Sequence, residues 1–368
     1  MKKIFYVFTI LAIFMIFMPN CKKSTTNDCT APSLSPPGGW LASNDARHPF
    51  TTDAYYEWWY LDAKLDNGYT AAVSIYWRQR IGTIHIPLIS MDIYTPDGKM
   101  TGNIVPDMFT ATASLEKCDV KMGENFLIDE GNQYRLKIVN AINEDSTDTI
   151  GAELTFRKQA PSWKWTEDGY ISDDTSGIQA WVNPIPRADV EGKLFINSDV
   201  IDVTGVGYHD HNWGNADMSL SRAGWGWGRM YDPVFTFVYG WFISKDGGET
   251  KPQLYLSMNN QVIFASNQLN CTLSDWESYT ISPGTTDTVP NLIEFYGEVD
   301  NVNVDCKIEV LSVLEARENK DYVTGYASHY YRRINRFTGT VTVCGDAYPI
   351  SSSDAINEWV TFVPLNIP

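Results

Sequence analysis

Apolar residues alternate with polar ones in short runs along most of this chain. That period of two restricts it to antiparallel sheet with one face in a core. Tyr69, Ala71, Val73, Ile75 and Trp77 alternate with Thr70, Ala72, Ser74 and Tyr76, after a turn at Asp66-Asn67-Gly68. The series Tyr134, Leu136, Ile138 repeats the pattern, as do Ala152, Leu154, Phe156, then Phe235, Phe237, Tyr239, Trp241, and Leu254, Leu256, Met258. Asn259-Asn260, ahead of Val262 and Phe264, reads as a hairpin. Pro96-Asp97-Gly98, Asp246-Gly247-Gly248 and Ser282-Pro283-Gly284 add turns at sheet-like spacing. Further strands are expected over 293–299, 304–310 and 338–343. Helix-period segments are scarce, and Ser312 to Lys320 is the best of them. Many short alternating strands imply sandwiches or up-and-down barrels, and 368 residues suffice for two β units.

The N-terminus predicts an export signal. Lys2 and Lys3 precede an apolar run from Ile4 to Met18, too short for a comfortable membrane span. Cys21 follows it, as in a bacterial lipoprotein, so residues 1–20 are expected to be cleaved and Cys21 lipidated. Residues 21–40, rich in Ser, Thr, Pro and Gly, then form a tether. The expected location is the bacterial cell envelope, on the periplasmic or surface side, with the membrane met through the lipid anchor. The net charge of −17 repels phosphate backbones and excludes nucleic acid as a natural partner. No C-x-x-C occurs, so zinc-ribbon and thioredoxin motifs are excluded. An oxidising compartment permits one disulfide among Cys271, Cys306 and Cys344. Alternatively Cys306, in phase with Val304 and Ile308, is a small core residue.

Three clusters carry the chemistry. Residues 205–213 read Gly-Val-Gly-Tyr-His-Asp-His-Asn-Trp and hold two of the chain's five histidines. On a strand His209, His211 and Trp213 share one face, while Tyr208, Asp210 and Asn212 share the other. His211 with a carboxylate such as Asp210 suits acid–base work. The His-x-His pair suits a metal only with a third ligand, from His48, His85, His329 or a carboxylate. The bland alternative is a polar plug at a barrel end. In Gly224-Trp225-Gly226-Trp227-Gly228-Arg229, an extended chain turns Trp225, Trp227 and Arg229 one way and bare glycine backbone the other. If the following hairpin pairs residues of equal parity, Trp225 and Trp227 join Phe237 and Tyr239 in one aromatic wall, either a core or a seat for an apolar ligand. In Tyr55-Tyr56-Glu57-Trp58-Trp59-Tyr60, a buried Glu57 among rings would be kept protonated and able to donate. An exposed Glu57 at a strand start is the alternative.

The blocks Glu57-Trp58-Trp59-Tyr60, Gly205 to Gly214 and Gly224 to Gly228, in that order, resemble the hydroxyneurosporene synthase family, that is, carotenoid 1,2-hydratases and AttH-like proteins. The resemblance covers most of residues 50–245. It implies an all-β fold of two consecutive lipocalin-like antiparallel β-barrel domains, here 41–219 and 220–368, with a ligand site near their junction. It implies binding of an apolar lipid or terpenoid-like molecule or, as in the hydratases, cofactor-free addition of water to an isoprenoid double bond. The superfamily also includes pericyclases. The hydratases' His-x-Trp pair is matched by His211-Asn212-Trp213. Their Tyr-x-Asp pair falls on Tyr239-Gly240-Trp241, with Trp in place of Asp. The expected catalytic set is therefore His211, Asp210, Glu57 and Tyr239, with Asp210 or Glu57 as the acid. The expected ligand contacts are His209, Trp213, Trp225, Trp227, Trp59, Tyr60 and Arg229. No metal and no cofactor are expected.

Overall fold

The computed structural model describes residues 29–81, 83–174, 177–245 and 251–365. The expected signal segment, the lipidation site at Cys21 and the turn at Asp246-Gly247-Gly248 lie outside the described residues. Among the described residues no helix is long and apolar enough to cross a membrane.

The alternation becomes two antiparallel meanders. The first contains β1 (Tyr56–Leu65), β2 (Thr70–Ile81), β3 (Ile84–Thr95), β4 (Gly98–Ile104), β5 (Gln133–Ile142), β6 (Thr149–Lys158), β7 (Gly177–Ile196) and β8 (Asp199–Gly214). Each strand pairs with the next, and β8 returns to pair with β1, so the sheet closes into a barrel. The second contains β9 (Gly224–Tyr231), β10 (Phe235–Ile243), β11 (Gln253–Met258), β12 (Gln261–Ser266), β13 (Asn270–Ser282), β14 (Thr285–Val299), β15 (Val302–Asp321), β16 (Tyr326–Val343) and β17 (Asp346–Pro364). Here too β17 returns to β9, but no ladder joins β12 to β13 among the described residues. A short helix, Met218–Ser221, links the two sheets, capped by the Asp217 carboxylate accepting from the Ser219 N–H at 2.9 Å.

Each meander wraps the apolar face that its alternation produces. Leu61, Val73, Ile93, Leu136, Phe156 and Val190 fill the first barrel. Phe237, Tyr239, Leu256, Ile293, Ile308 and Phe337 fill the second. A third apolar layer lies between the two sheets and includes Tyr60, Trp181, Tyr208, Trp227, Tyr255 and Ile356. The outward faces of both sheets are therefore partly dry, and this positions the site.

Three expectations are corrected. Ser312 to Lys320 is not helical; it is the second half of β15, paired with β16. Register shifts at Val310/Ser312 and Val313/Glu315 insert extra residues there, and such bulges break the period of two into a spacing that imitates a helix. No bridge joins Cys271, Cys306 and Cys344. Cys344 carries a disulfide while Cys271 and Cys306 are free, and Cys306 is buried between Val304 and Ile308. The third concerns the β9–β10 hairpin, which pairs Trp225 with Phe242, Gly226 with Trp241 and Gly228 with Tyr239. Its parity is odd against even, so Trp225 and Trp227 do not join Phe237 and Tyr239. The bare face of β9 is covered instead by Trp241 and Tyr239. A Cβ at Gly226 or Gly228 would overlap those rings, which is why glycine stands there. The Asn259-Asn260 turn has both residues at positive φ, 49° and 65°, as a two-residue hairpin with the sheet's twist requires.

Candidate active site

Strands β1 and β8 are neighbours with Glu57 opposite Trp213, Trp59 opposite His211 and Tyr60 opposite Asp210. Because successive residues point to opposite faces, the expected site residues divide between two places. Glu57, Trp59, His209, His211 and Trp213 point into the first barrel. Tyr60 and Asp210 point out toward the second sheet.

The inner group forms a sealed ionic cluster. His209 reaches Asp45 Oδ2 through Nε2 at 3.0 Å and the Tyr60 carbonyl through Nδ1 at 2.8 Å. Tyr134 donates to the same Asp45 oxygen at 2.8 Å. His211 sits between two carboxylates, with Nδ1 3.2 Å from Asp45 Oδ1 and Nε2 3.1 Å from Glu57 Oε1. Glu57 also accepts from the His48 N–H at 2.7 Å and from the Tyr55 hydroxyl. Trp59 stacks on His211 at 4.3 Å, and Trp213 stacks on His48 at 3.8 Å. Asp45, Glu57, His209 and His211 are all fully buried.

Burial alone would raise both acids. The histidines and hydrogen bonds outweigh it, holding Asp45 well below the usual range and Glu57 at about 2. Burial likewise opposes the His211 imidazolium, but Asp45 and Glu57 together raise its pKa. Glu57 is therefore buried and not exposed at a strand start, yet it is ionised, so it is not the protonated donor that burial among rings alone would make it. His48, Glu57 and His211 offer ligand atoms within 4.8 Å of one another, as do Asp45, Cys118 and His209. In both groups the carboxylate already accepts hydrogen bonds, Asp45 through Oδ2 and Glu57 through both oxygens, and it lies against a histidine as in an ion-paired plug.

The outer face opens on a cleft of about 640 Å³ between the two sheets. Tyr60, Asp210, Trp225 and Trp227 line it, together with Trp58, Tyr76 and Trp181. Asp210 is 5 % exposed. Its Oδ2 accepts from Trp181 Nε1 and from the Tyr208 hydroxyl, each at 2.9 Å, and its Oδ1 accepts from Asn212 at 2.9 Å. Tyr208 in turn accepts from Asn183 at 2.6 Å and from Trp227 Nε1 at 3.2 Å. Burial pushes Asp210 up to about 7 against the pull of the Trp181 and Tyr208 hydrogen bonds. This carboxyl, and not Glu57, is the one held near neutrality. Oδ1 takes a single donor and keeps room for a proton.

Arg229 lies behind the cleft wall, locked to Asp62 through Nε at 2.8 Å. Asp62 accepts from the Tyr60 hydroxyl at 3.0 Å, and that hydroxyl accepts from Arg332 at 3.0 Å, so one polar chain crosses from sheet to sheet. Tyr239 is enclosed in the second core, away from the cleft, with its hydroxyl pushed upward in pKa by burial. Sequence reasoning missed Asp45, Trp181, Arg332 and Glu358, and it named His48 only as a candidate metal ligand. It also passed over the second face of β2, where Ala72, Ser74, Tyr76, Arg78 and Arg80 all line the cleft. The signal was in the alternation itself: a face opposite Val73 and Ile75 that mixes aromatic and basic residues is not an ordinary wet face.

Comparison with known proteins bears on this arrangement. A Diels-Alderase-like family model matches residues 145–289. A hydroxyneurosporene dehydrogenase of Chlorobaculum tepidum is 26% identical over 247 residues, 58% of this chain and 63% of that protein. The ceramide-binding protein svf1 of Schizosaccharomyces pombe is 27% identical over 177 residues, 45% of this chain and 43% of that protein. The matches thus span less than two thirds of these relatives' lengths. Among solved structures, an AttH from Nitrosomonas europaea superposes with a TM-score of 0.59 at 16% identity, covering 86% of this chain and 94% of its own. Kievitone hydratase from Nectria haematococca superposes with a TM-score of 0.57 at 13% identity, covering 91% and 99%. At those identities the structural likeness is one of fold.

Proposed function

From a chain that resembles the carotenoid 1,2-hydratase and AttH-like group of lipocalin-like proteins, we propose a cofactor-independent hydratase or isomerase whose reaction takes place in the cleft between the sheets. The observation that carries the reading is Asp210, a buried carboxyl with a pKa near 7 among the rings of Trp181, Tyr208 and Trp227. Protonating a carbon–carbon double bond needs an acid that holds its proton at working pH and surroundings that shelter the cation formed. A neutral Asp210 supplies the first, and the faces of Trp225, Trp227 and Tyr60 supply the second. His211 then acts as a positioning residue within the plug that fixes β8. The substrate is a small molecule with an apolar, unsaturated, terpenoid-like body.

A second reading is a carrier that binds such a molecule without changing it. Three donors on the Asp210 carboxyl favour it, because they suit a wall residue as well as an acid. Placement in the cell envelope through lipidated Cys21 belongs to the proposal as well and rests on the N-terminal sequence.

The test is incubation of the full chain with an acyclic terpenoid mixture in heavy-oxygen water, followed by mass spectrometry and chromatography. A labelled adduct or an isomer that Asp210→Asn abolishes supports the enzyme. An intact bound ligand after long incubation supports the carrier. Turnover that survives Asp210→Asn would remove Asp210 from the chemistry.

A further inference from the structure

Arg332 lines the cleft and is 4% exposed. Its guanidinium lies 5.5 Å from the ring centroids of Tyr60 and Tyr94 and 5.9 Å from that of Tyr330. Nη2 donates to the Tyr60 hydroxyl at 3.0 Å and pairs with Glu358. Nε and Nη1 have no hydrogen-bond partner. The rings and Glu358 balance the charge, but neither satisfies those two donors. A buried donor left unmet is costly, the more so when it carries a charge. Arg229, buried beside Asp62, meets its acceptor with two nitrogens. Arg332 meets Glu358 with only one.

We infer that Arg332 is a head-group site: the molecule held in the cleft carries a hydrogen-bond-accepting oxygen, a carboxylate or a carbonyl, that docks on Nε and Nη1 while its apolar body lies along Trp58, Tyr76, Trp225 and Trp227. The inference rests on the cleft reading above and narrows its substrate class from a hydrocarbon to an oxygenated amphiphile. It also fixes orientation. Tyr60 hydrogen-bonds to Arg332, and its ring is 6.3 Å from that of Tyr208, the donor to Asp210, so the oxygenated end sits near the acid.

The experiment compares three ligands with one fifteen-carbon body: farnesene, farnesal and farnesoic acid. Their affinities for the full chain are read by quenching of tryptophan fluorescence. At least one oxygenated ligand is expected to bind tenfold or more tightly than farnesene. Arg332→Met is expected to remove that preference while leaving farnesene affinity within twofold. Gain with the acid alone identifies a carboxylate head, and gain with both identifies a carbonyl oxygen; each supports the site. Because Arg332→Met strands Glu358, the double variant Arg332→Met/Glu358→Gln is measured beside it and must give the same loss. Equal affinity for all three ligands overturns the inference, and so does a preference that survives both variants. Failure of every ligand to bind, or binding that Trp225→Ala leaves unchanged, overturns the cleft reading itself and with it this inference.

Discussion

The two faces of strand β8 carry nearly the same chemistry to opposite ends. On the inner face His209 and His211 meet Asp45 and Glu57 with no exposure, and every charge is answered by another. On the outer face Asp210 is nearly as deeply placed, but what meets it is an indole, a phenol and an amide, and beyond them open space. The difference shows in the direction of the shifts. Countercharge drives the inner carboxylates down, whereas burial without countercharge drives Asp210 up. An acid useful at neutral pH is therefore found one residue away from the histidines, on the face with fewer charges.

The sharpest way to break this contrast is to unbalance the inner face. Asp45→Asn removes one of the two carboxylates flanking His211. Breaking a buried charge cluster costs about 3–5 kcal/mol, and urea unfolding should show a loss of that order. Ligand affinity of the folded fraction should stay unchanged; lost binding with stability intact would move the site inside the barrel.

The next effect is in pH. Asp210 rises from 3.8 to about 7 on folding, so between those values the folded state holds a proton that the unfolded state has lost. Its contribution to stability is complete below 3.8 and falls as pH rises through 7, at up to about 1.4 kcal/mol per pH unit. Glu57 works in the other direction: its contribution is complete above 4.5 and disappears as pH falls through about 2. Asp210→Asn should flatten the decline between pH 4 and 7 and leave the acid limb unchanged, as followed by thermal unfolding across pH.

Trp225 is only partly buried and faces the cleft, so its loss should touch binding more than folding. Trp225→Ala should weaken ligand binding about tenfold, near 1.4 kcal/mol, in a fluorescence titration. The smallest effect is expected at the rim. Arg80 of β2 pairs with Asp217 at 2.7 Å and with Asp321 at the end of β15, so it ties the two sheets across the cleft mouth. All three side chains are partly exposed, and such pairs contribute about 1 kcal/mol or less. Arg80→Ala should barely change the melting temperature while raising the ligand association rate in stopped-flow measurements.

Much of this fold is written as alternation. Val73 and Ile75, or Leu254 and Leu256, announce their strands because one face is dry and the other is wet. Bulges hid the second half of β15, since an inserted residue reverses the pattern that marks a strand. At the site, sequence spacing brought His209, Asp210 and His211 together, and the pleat then separated them. The parity of a hairpin depends on its turn, which is why the expected wall of Trp225, Trp227, Phe237 and Tyr239 became two walls on opposite faces. Trp181 reaches Asp210 across the paired strands β7 and β8, whereas Arg332 comes from β16, and only the packing of the second sheet against the first brings it to Tyr60, the strand partner of Asp210.

A crystal structure of the full chain with bound farnesoic acid tests the central claim most directly. The account predicts the ligand between the two sheets, with its chain against Trp225 and Trp227 and its carboxylate on Arg332, while the inner cluster around His211 stays closed. Ligand inside the first barrel beside His211 and Trp59, or inside the second beside Tyr239, would contradict it.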